Sequence, residues 1–179
     1  MSTNTMTKQK GRRGFSFYAR IYRKILVQDT MTKMLVFDMD GTIADLYSVE
    51  NWLTGIEAEE TRPYEIAEPM YNMEDLAETL HRLKNKGWSV VITTWTAKNG
   101  TKAYNKAVGE AKKAWLAKYS FPYDEIHIVK YGTTKADCTR KKADFQVLID
   151  DNEKVRNGWS LGMTVNANYN ILDFLKTLI

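Results

Sequence analysis

Short apolar runs that each end in a polar cluster are the strongest limit on what this chain can fold into. "MLVFD" ends at Asp38, "WSVVITT" at Thr93 and Thr94, "FPYDEIHIV" just before Lys130, and "FQVLIDD" at Asp150 and Asp151. A fifth run, "MTVNA", follows. Helical patterns lie between most of them. Strands alternating with helices build βα units and a parallel sheet. Connections in such a sheet are right-handed, so the carboxyl ends of its strands share one rim, where ligands bind. The expected fold class is therefore α/β, three layers, with a mainly parallel five-stranded sheet.

The helices are legible in outline. In "NMEDLAETLHRLKNKG", Asn72 can cap, Glu74 and Asp75 suit the first turn, and Leu76, Leu80 and Leu83 share a face. Lys102 to Tyr119 reads as a long helix with a buried stripe of Ala103, Ala107, Ala111, Ala114 and Trp115. A short helix is expected from Lys135 to Lys142, another in "NEKVRNG", and a last one in "NILDFLKTLI". Residues 46–73 carry no such pattern and read as an irregular flap. Trp88 and Trp115 are expected in the core. No internal repeat stands out.

Charge is unevenly distributed. The chain of 179 residues carries +4 overall. Residues 1–30 hold seven Lys or Arg against Asp29 alone, which leaves the rest slightly acidic. The basic arm, residues 1–33, is expected to be a solvated tail or a contact for nucleic acid. Its stretch "FSFYARIYRKILV" has the pattern of a short amphipathic helix. "MTKMLVF" also looks like an ordinary start before a first strand. Residues 34–179 are the expected folded domain. No apolar run approaches the roughly 20 residues that span a bilayer, and the N-terminus lacks a signal-peptide core. A single cysteine, Cys138, excludes an internal disulfide and a multi-cysteine zinc site. A cytoplasmic, reduced setting is the simplest expectation.

Carboxylates crowded on one rim need a cation. Asp38, Asp40, Asp150 and Asp151 are hard oxygen donors without His or Cys, a set that suits Mg²⁺. A phosphate substrate accounts for the remaining residues. One carboxylate can attack phosphorus. A second, two residues on, can protonate the leaving oxygen and then activate water. A hydroxyl and a lysine can neutralise the transferring group. Gly41 permits a sharp turn, and N–H groups at Gly41 and Thr42 can hold phosphate oxygens. His81 and His127 sit away from strand ends and read as structural.

"DMDGT", a threonine ending the next strand, a lysine after the third and "IDD" after the fourth resemble the four motifs of the haloacid dehalogenase-like superfamily. The likeness runs over roughly residues 34–167. It implies a Rossmann-like core, with residues 46–73 a minimal cap. It implies Asp38 as nucleophile and Asp40 as general acid and base. Thr94, or Thr93, would be the phosphate-binding hydroxyl, and Lys135, or Lys130, the third motif. Asp150 would bind Mg²⁺ with Asp38 and the Asp40 carbonyl, and Asp151 would support the metal's water shell. An acid at position 40 fits the superfamily's phosphatases rather than its dehalogenases.

The outline resembles two groups within it: by "FDMDGTIADL" and "LIDD", the 5′(3′)-deoxyribonucleotidase-like proteins, including phage-encoded ones, and by "RPY" at Arg62 to Tyr64 and Trp159 after "IDDN", the phosphatase half of phage polynucleotide kinase-phosphatases. The first expectation is hydrolysis of a (deoxy)nucleoside monophosphate, with Trp95, Trp52 and Tyr64 as candidates for stacking on the base. The second is removal of a 3′-phosphate from a nucleic-acid end, which would employ the basic arm. A third is a regulatory protein that binds a phosphorylated ligand without turnover. Expected partners are thus a nucleotide, nucleic acid, and a second copy of the chain closing an open site. No membrane partner is expected.

Overall fold

The computed structural model describes residues 31–140 and 142–179. Residues 1–30 of the basic arm, with its amphipathic stretch, lie outside them, whereas Met31 to Lys33 lie inside and Lys33 opens the first strand. Five strands form one sheet: β1 (Lys33–Phe37), β4 (Trp88–Trp95), β5 (Glu125–Val129), β6 (Phe145–Asp150) and β7 (Gly162–Asn166). Their order is β5-β4-β1-β6-β7, and every pairing is parallel. The first strand is central because it is apolar on both faces, as a strand covered on both sides must be.

Helices cover both faces, as expected of three layers. Leu35 and Phe37 pack against Leu76, Leu80 and Leu83 of α3 (Met73–Lys84), with Trp115 of α4 (Lys102–Lys118) and Phe174 of α7 (Ile171–Lys176). Met34, Val36 and Leu148 face the other way, toward Ala136 of α5 (Lys135–Thr139) and Trp159, which follows α6 (Glu153–Asn157). Asn72 caps α3 as expected, accepting from the N–H groups of Glu74 and Asp75. Helix α5 stops at Thr139, short of the expected Lys142.

Two expectations are corrected. The stripe that α4 buries is Tyr104, Val108, Ala111, Lys112 and Trp115, while Ala103, Ala107 and Ala114 are exposed. Alanine fits either face of a helix, so alanine spacing misdirected the phase, and a buried lysine defeats any hydropathy pattern. Residues 46–73 are not irregular either. They contain a short 3₁₀ turn (Leu46–Ser48), α1 (Trp52–Glu57), α2 (Arg62–Ile66) and β3 (Glu68–Pro69), which pairs antiparallel with β2 (Ala44–Asp45) just before them.

This small cap is fastened to α4. The carboxylate of Glu59 accepts from the Thr101 N–H at 2.7 Å and from its hydroxyl at 2.9 Å. The Tyr104 hydroxyl donates to the Glu60 carbonyl, and the Trp115 indole N–H donates to the Ala67 carbonyl. Side chains of α4 and its cap thus hold backbone that has no long element of its own.

Candidate active site

The register of β1 decides which polar residues meet. Phe37 pairs with Ile92 on one side and Ile149 on the other. One residue further on, Asp38 stands between Thr93 and Asp150. Its own N–H donates to the Ile149 carbonyl. Among the described residues, Asp38, Asp150 and Asp151 can bring one carboxylate oxygen each within 4.8 Å of the others.

Lys135 opens α5, and its side chain is buried among these acids. Its Nζ lies 2.7 Å from Asp38 Oδ1 and 2.8 Å from Asp150 Oδ2. Burial works against its charge, but the two carboxylates outweigh burial and push its pKa up. Lys130, the other candidate, is exposed on the loop after β5.

The acids remain under-compensated. Asp150 is pushed up to about 7, by burial first and then by the charge of Asp38, against the pull of Lys135. Asp151 is pushed up to about 6 by the same two causes in the same order. Three carboxylates around one ammonium suit a hard divalent cation, and these residues fit Mg²⁺.

The loop after β6 is held tightly. The Asn152 N–H donates to Asp150 Oδ1 at 2.8 Å, and the Asn152 side chain caps α6. From α6, Arg156 donates to the Asp150 carbonyl at 2.8 Å and the Asp151 carbonyl at 2.6 Å. Arg156 was not among the residues expected at the site. Its signal in the sequence is a lone arginine six residues past "ID", one turn into the helix.

Asp40 lies on the other side of Asp38, its side chain about one-fifth exposed. Lys112 Nζ donates to its Oδ2 at 2.6 Å. Burial raises the pKa of Asp40, Lys112 opposes this, and Asp38 adds to it, with a net upward shift. Lys112 is the principal residue that sequence reasoning missed.

Other candidates are distributed as follows. Thr94 is fully buried, and its hydroxyl receives a hydrogen bond from Lys112 at 2.8 Å. Thr93 is also fully buried, its hydroxyl without a partner among the described residues. Alternation along β4 puts Thr93 and Trp95 on one face and Thr94 on the other. The Gly41 N–H donates to the Ala44 carbonyl and the Thr42 N–H to the Met39 carbonyl, so both are used inside the loop rather than offered to a phosphate. The Thr42 hydroxyl accepts from the Asp151 N–H, tying the first acidic loop to the last. Gly41 has φ +69°, and Tyr47 and Asp151 crowd it so closely that a β-carbon would sit 2.4 Å from Tyr47 Cε2.

The aromatic candidates separate as well. Tyr64 is buried with its ring 5.1 Å from Lys112 Nζ, so it packs under the cap instead of lining the rim. Trp52 is half-buried and meets the exposed Tyr47 edge to face at 5.0 Å. Trp95 stays on the rim. Its indole N–H donates to the Thr133 carbonyl, its ring stands 5.1 Å from Lys135 Nζ, and Tyr131 packs on it at 4.9 Å. Tyr131 is 46% exposed, with Lys98 Nζ 5.8 Å from its ring. His81 is exposed on α3, and His127 pairs with Glu125 on the edge strand, so neither joins the site. No helix among the described residues is long and apolar enough to cross a membrane.

No family model and no curated protein sequence matches the chain. Solved structures do. A structure of a Pnkp1/Rnl/Hen1 complex is similar at 18% identity and TM-score 0.50, over 76% of this chain and 46% of that one. A structure of the Pnkp1/Rnl/Hen1 RNA repair complex gives 19% and 0.49, over 76% and 43%. D,D-heptose 1,7-bisphosphate phosphatase from Burkholderia thailandensis gives 18% and 0.45, over 74% and 75%. The chain spans less than half the length of the first two. At these identities the first likeness speaks for the fold, which is the Rossmann-like α/β core that the haloacid dehalogenase resemblance implied.

Proposed function

We propose that this protein is a Mg²⁺-dependent phosphomonoester hydrolase that works through an aspartyl-phosphate on Asp38. The observation that carries the reading is the clustering of Asp38, Asp150 and Asp151 around Lys135, with Asp40 beside it. That arrangement supplies a nucleophile, a seat for a divalent cation, a phosphate-neutralising ammonium and a separate acid. The catalytic domain begins at Lys33, where β1 starts, one residue before the expected boundary, and the basic extension precedes it.

In the first step an oxygen of Asp38 bonds to phosphorus and the bond to the leaving oxygen breaks, while Asp40 gives that oxygen a proton. In the second, water attacks the same phosphorus. Asp40 takes the water's proton, and phosphate leaves with Asp38 restored. Lys135 holds the Asp38 carboxylate at 2.7 Å and meets the negative charge of the transferring group. A cation held by Asp38, Asp150 and the Asp40 carbonyl, with Asp151 beside its water shell, would neutralise phosphate oxygens. The Thr94 hydroxyl, or that of Thr93, would donate to the phosphoryl group.

The substrate class we favour is a (deoxy)nucleoside monophosphate. The Trp95–Tyr131 pair beside Lys135 offers a face for a base next to the phosphate position, and Lys98 offers a cation beyond it. The same open platform supports a second reading, removal of phosphate from a nucleic-acid end. The test is Mg²⁺-dependent phosphate release from nucleoside 5′- and 3′-monophosphates, 3′-phosphorylated oligonucleotides and sugar phosphates, with Asp38→Asn as blank. Selective release from mononucleotides is expected. Release equal to the Asp38→Asn blank from every ester would sink the hydrolase reading.

A further inference from the structure

The site contains a second buried ammonium for which the chemistry above has no task. Lys112 is fully buried in the middle of α4, on the stripe that also carries Val108 and Trp115. A lysine there is costly unless its charge and all its protons are compensated. It is compensated fully. Nζ donates to Asp40 Oδ2 at 2.6 Å, to Thr94 Oγ1 at 2.8 Å and to the Trp95 carbonyl at 2.8 Å. The Tyr64 ring closes the remaining side.

Two of these three partners come from β4, a strand of the central sheet, so the ammonium is fixed before it meets Asp40. The aspartate is the member with freedom to move. It belongs to the loop after β1, and its side chain is partly open to solvent. A hydrogen bond to Oδ2 leaves Oδ1 as the oxygen free to exchange a proton. The same ammonium donates to the Thr94 oxygen, so the Thr94 hydroxyl proton turns away from Lys112.

We infer that Lys112 is a positioning residue, which holds Asp40 in the rotamer where Oδ1 delivers a proton to the leaving oxygen and then takes one from water. The inference rests on the hydrolase reading proposed above. A general acid matters only where the leaving group is poor. Loss of Lys112 must therefore be felt unequally by different esters, which mere loosening of the core would not produce.

The experiment compares 4-nitrophenyl phosphate, whose phenolate leaves unaided, with a nucleoside monophosphate, whose alkoxide needs a proton. For Lys112→Met, kcat/KM should fall about 10²-fold with the nucleotide and less than about threefold with the aryl ester. The variant should also show a burst of nitrophenol, because the second step still needs Asp40 as base. In an Asp40→Asn background, adding Lys112→Met should cost less than about twofold more, since the two act as one unit. An equal fall with both esters, or additivity with Asp40→Asn, would overturn the inference.

Should Lys112→Met alone not fold, the double variant, which removes both partners of the buried pair, is compared with Asp40→Asn. A crystal structure of a Lys112 variant gives a readout independent of turnover. Asp40 keeping its rotamer without Lys112 would overturn the inference even in a protein that hydrolysed neither ester. In that case the hydrolase reading would fail separately.

Discussion

The ammonium of Lys135 lies 2.7 Å from Asp38 Oδ1, and its side chain is almost wholly shut off from water. Asp150, at 2.8 Å on its other side, is fully buried. Removing the lysine would leave two carboxylates facing each other, one fully buried and the other nearly so. Breaking a buried pair in this way costs about 3–5 kcal/mol. For Lys135→Met, Tm without metal should fall by roughly 10 °C at this chain length, and Mg²⁺ should recover part of the loss. Turnover should fall about 10²- to 10³-fold. An unchanged Tm in calorimetry, with and without Mg²⁺, would show that the lysine does not bear on the acids.

The acids also set a pH dependence. Asp150 is pushed up to about 7 and Asp151 to about 6, burial being the larger cause and Asp38 the next. In the unfolded chain both would titrate near 4. Between those values the folded state binds more protons than the unfolded state, so stability falls as pH rises. The loss begins above pH 4 and is complete above pH 7. Chelated protein should therefore melt at higher temperature at pH 5 than at pH 8. Magnesium should raise Tm strongly at pH 8 and little at pH 5. Melting curves at both pH values, with EDTA and with Mg²⁺, decide this, and the absence of a metal effect at pH 8 would count against the cation seat.

Much of the fold and of the acidic rim is legible in the sequence because its signals are local. The apolar run before Asp38 and the pattern around Leu76, Leu80 and Leu83 each need only their own neighbours in the chain. Lys135 and Lys130 cannot be separated that way, since five residues of loop decide which one turns inward. Lys112 is hidden for the opposite reason. Its helix is recognisable, but a lysine between "EA" and "KA" carries no mark of burial. What buries it is the pairing of α4 with the end of β4, and that is tertiary. Arg156 is hidden likewise, because it clamps carbonyls, which no side-chain pattern announces. The cap reads as irregular because α1 and α2 are too short to establish a period. The cap's hold on α4 comes through scattered hydrogen bonds, two from Thr101 and one each from Tyr104 and Trp115, and through Tyr64 packing with Val108 and Ala111.

Gly41 tests the first acidic loop. Its φ of +69° disfavours any residue with a β-carbon, by about 1–2 kcal/mol. The added carbon would also lie 2.8 Å from Asp151 Oδ2 and closer still to Tyr47. Gly41→Ala should therefore lower stability by about that amount and also displace Asp151. Magnesium affinity, read by calorimetric titration, should drop about tenfold, as it does when groups around metal ligands are disturbed. Unchanged affinity together with a lowered Tm would mean that the loop sets backbone strain but not the acid.

The aromatic rim separates substrate recognition from chemistry. Trp95 touches both, since its ring lies against Lys135, so replacing it would disturb the phosphate position as well. Tyr131 is the cleaner probe. It packs on Trp95 at 4.9 Å and is half exposed. Stacking of a base on an aromatic ring is worth about 1–3 kcal/mol. Tyr131→Ala should raise KM for a nucleoside monophosphate at least about fivefold, while kcat stays near the wild-type value. KM for glycerol phosphate, which has no base to stack, should not move. A parallel rise for both esters would remove the base platform from the account and leave the phosphate chemistry of Asp38 intact. A rise for the nucleotide alone, larger still for a 3′-phosphorylated oligonucleotide, would shift the preferred substrate toward nucleic-acid ends.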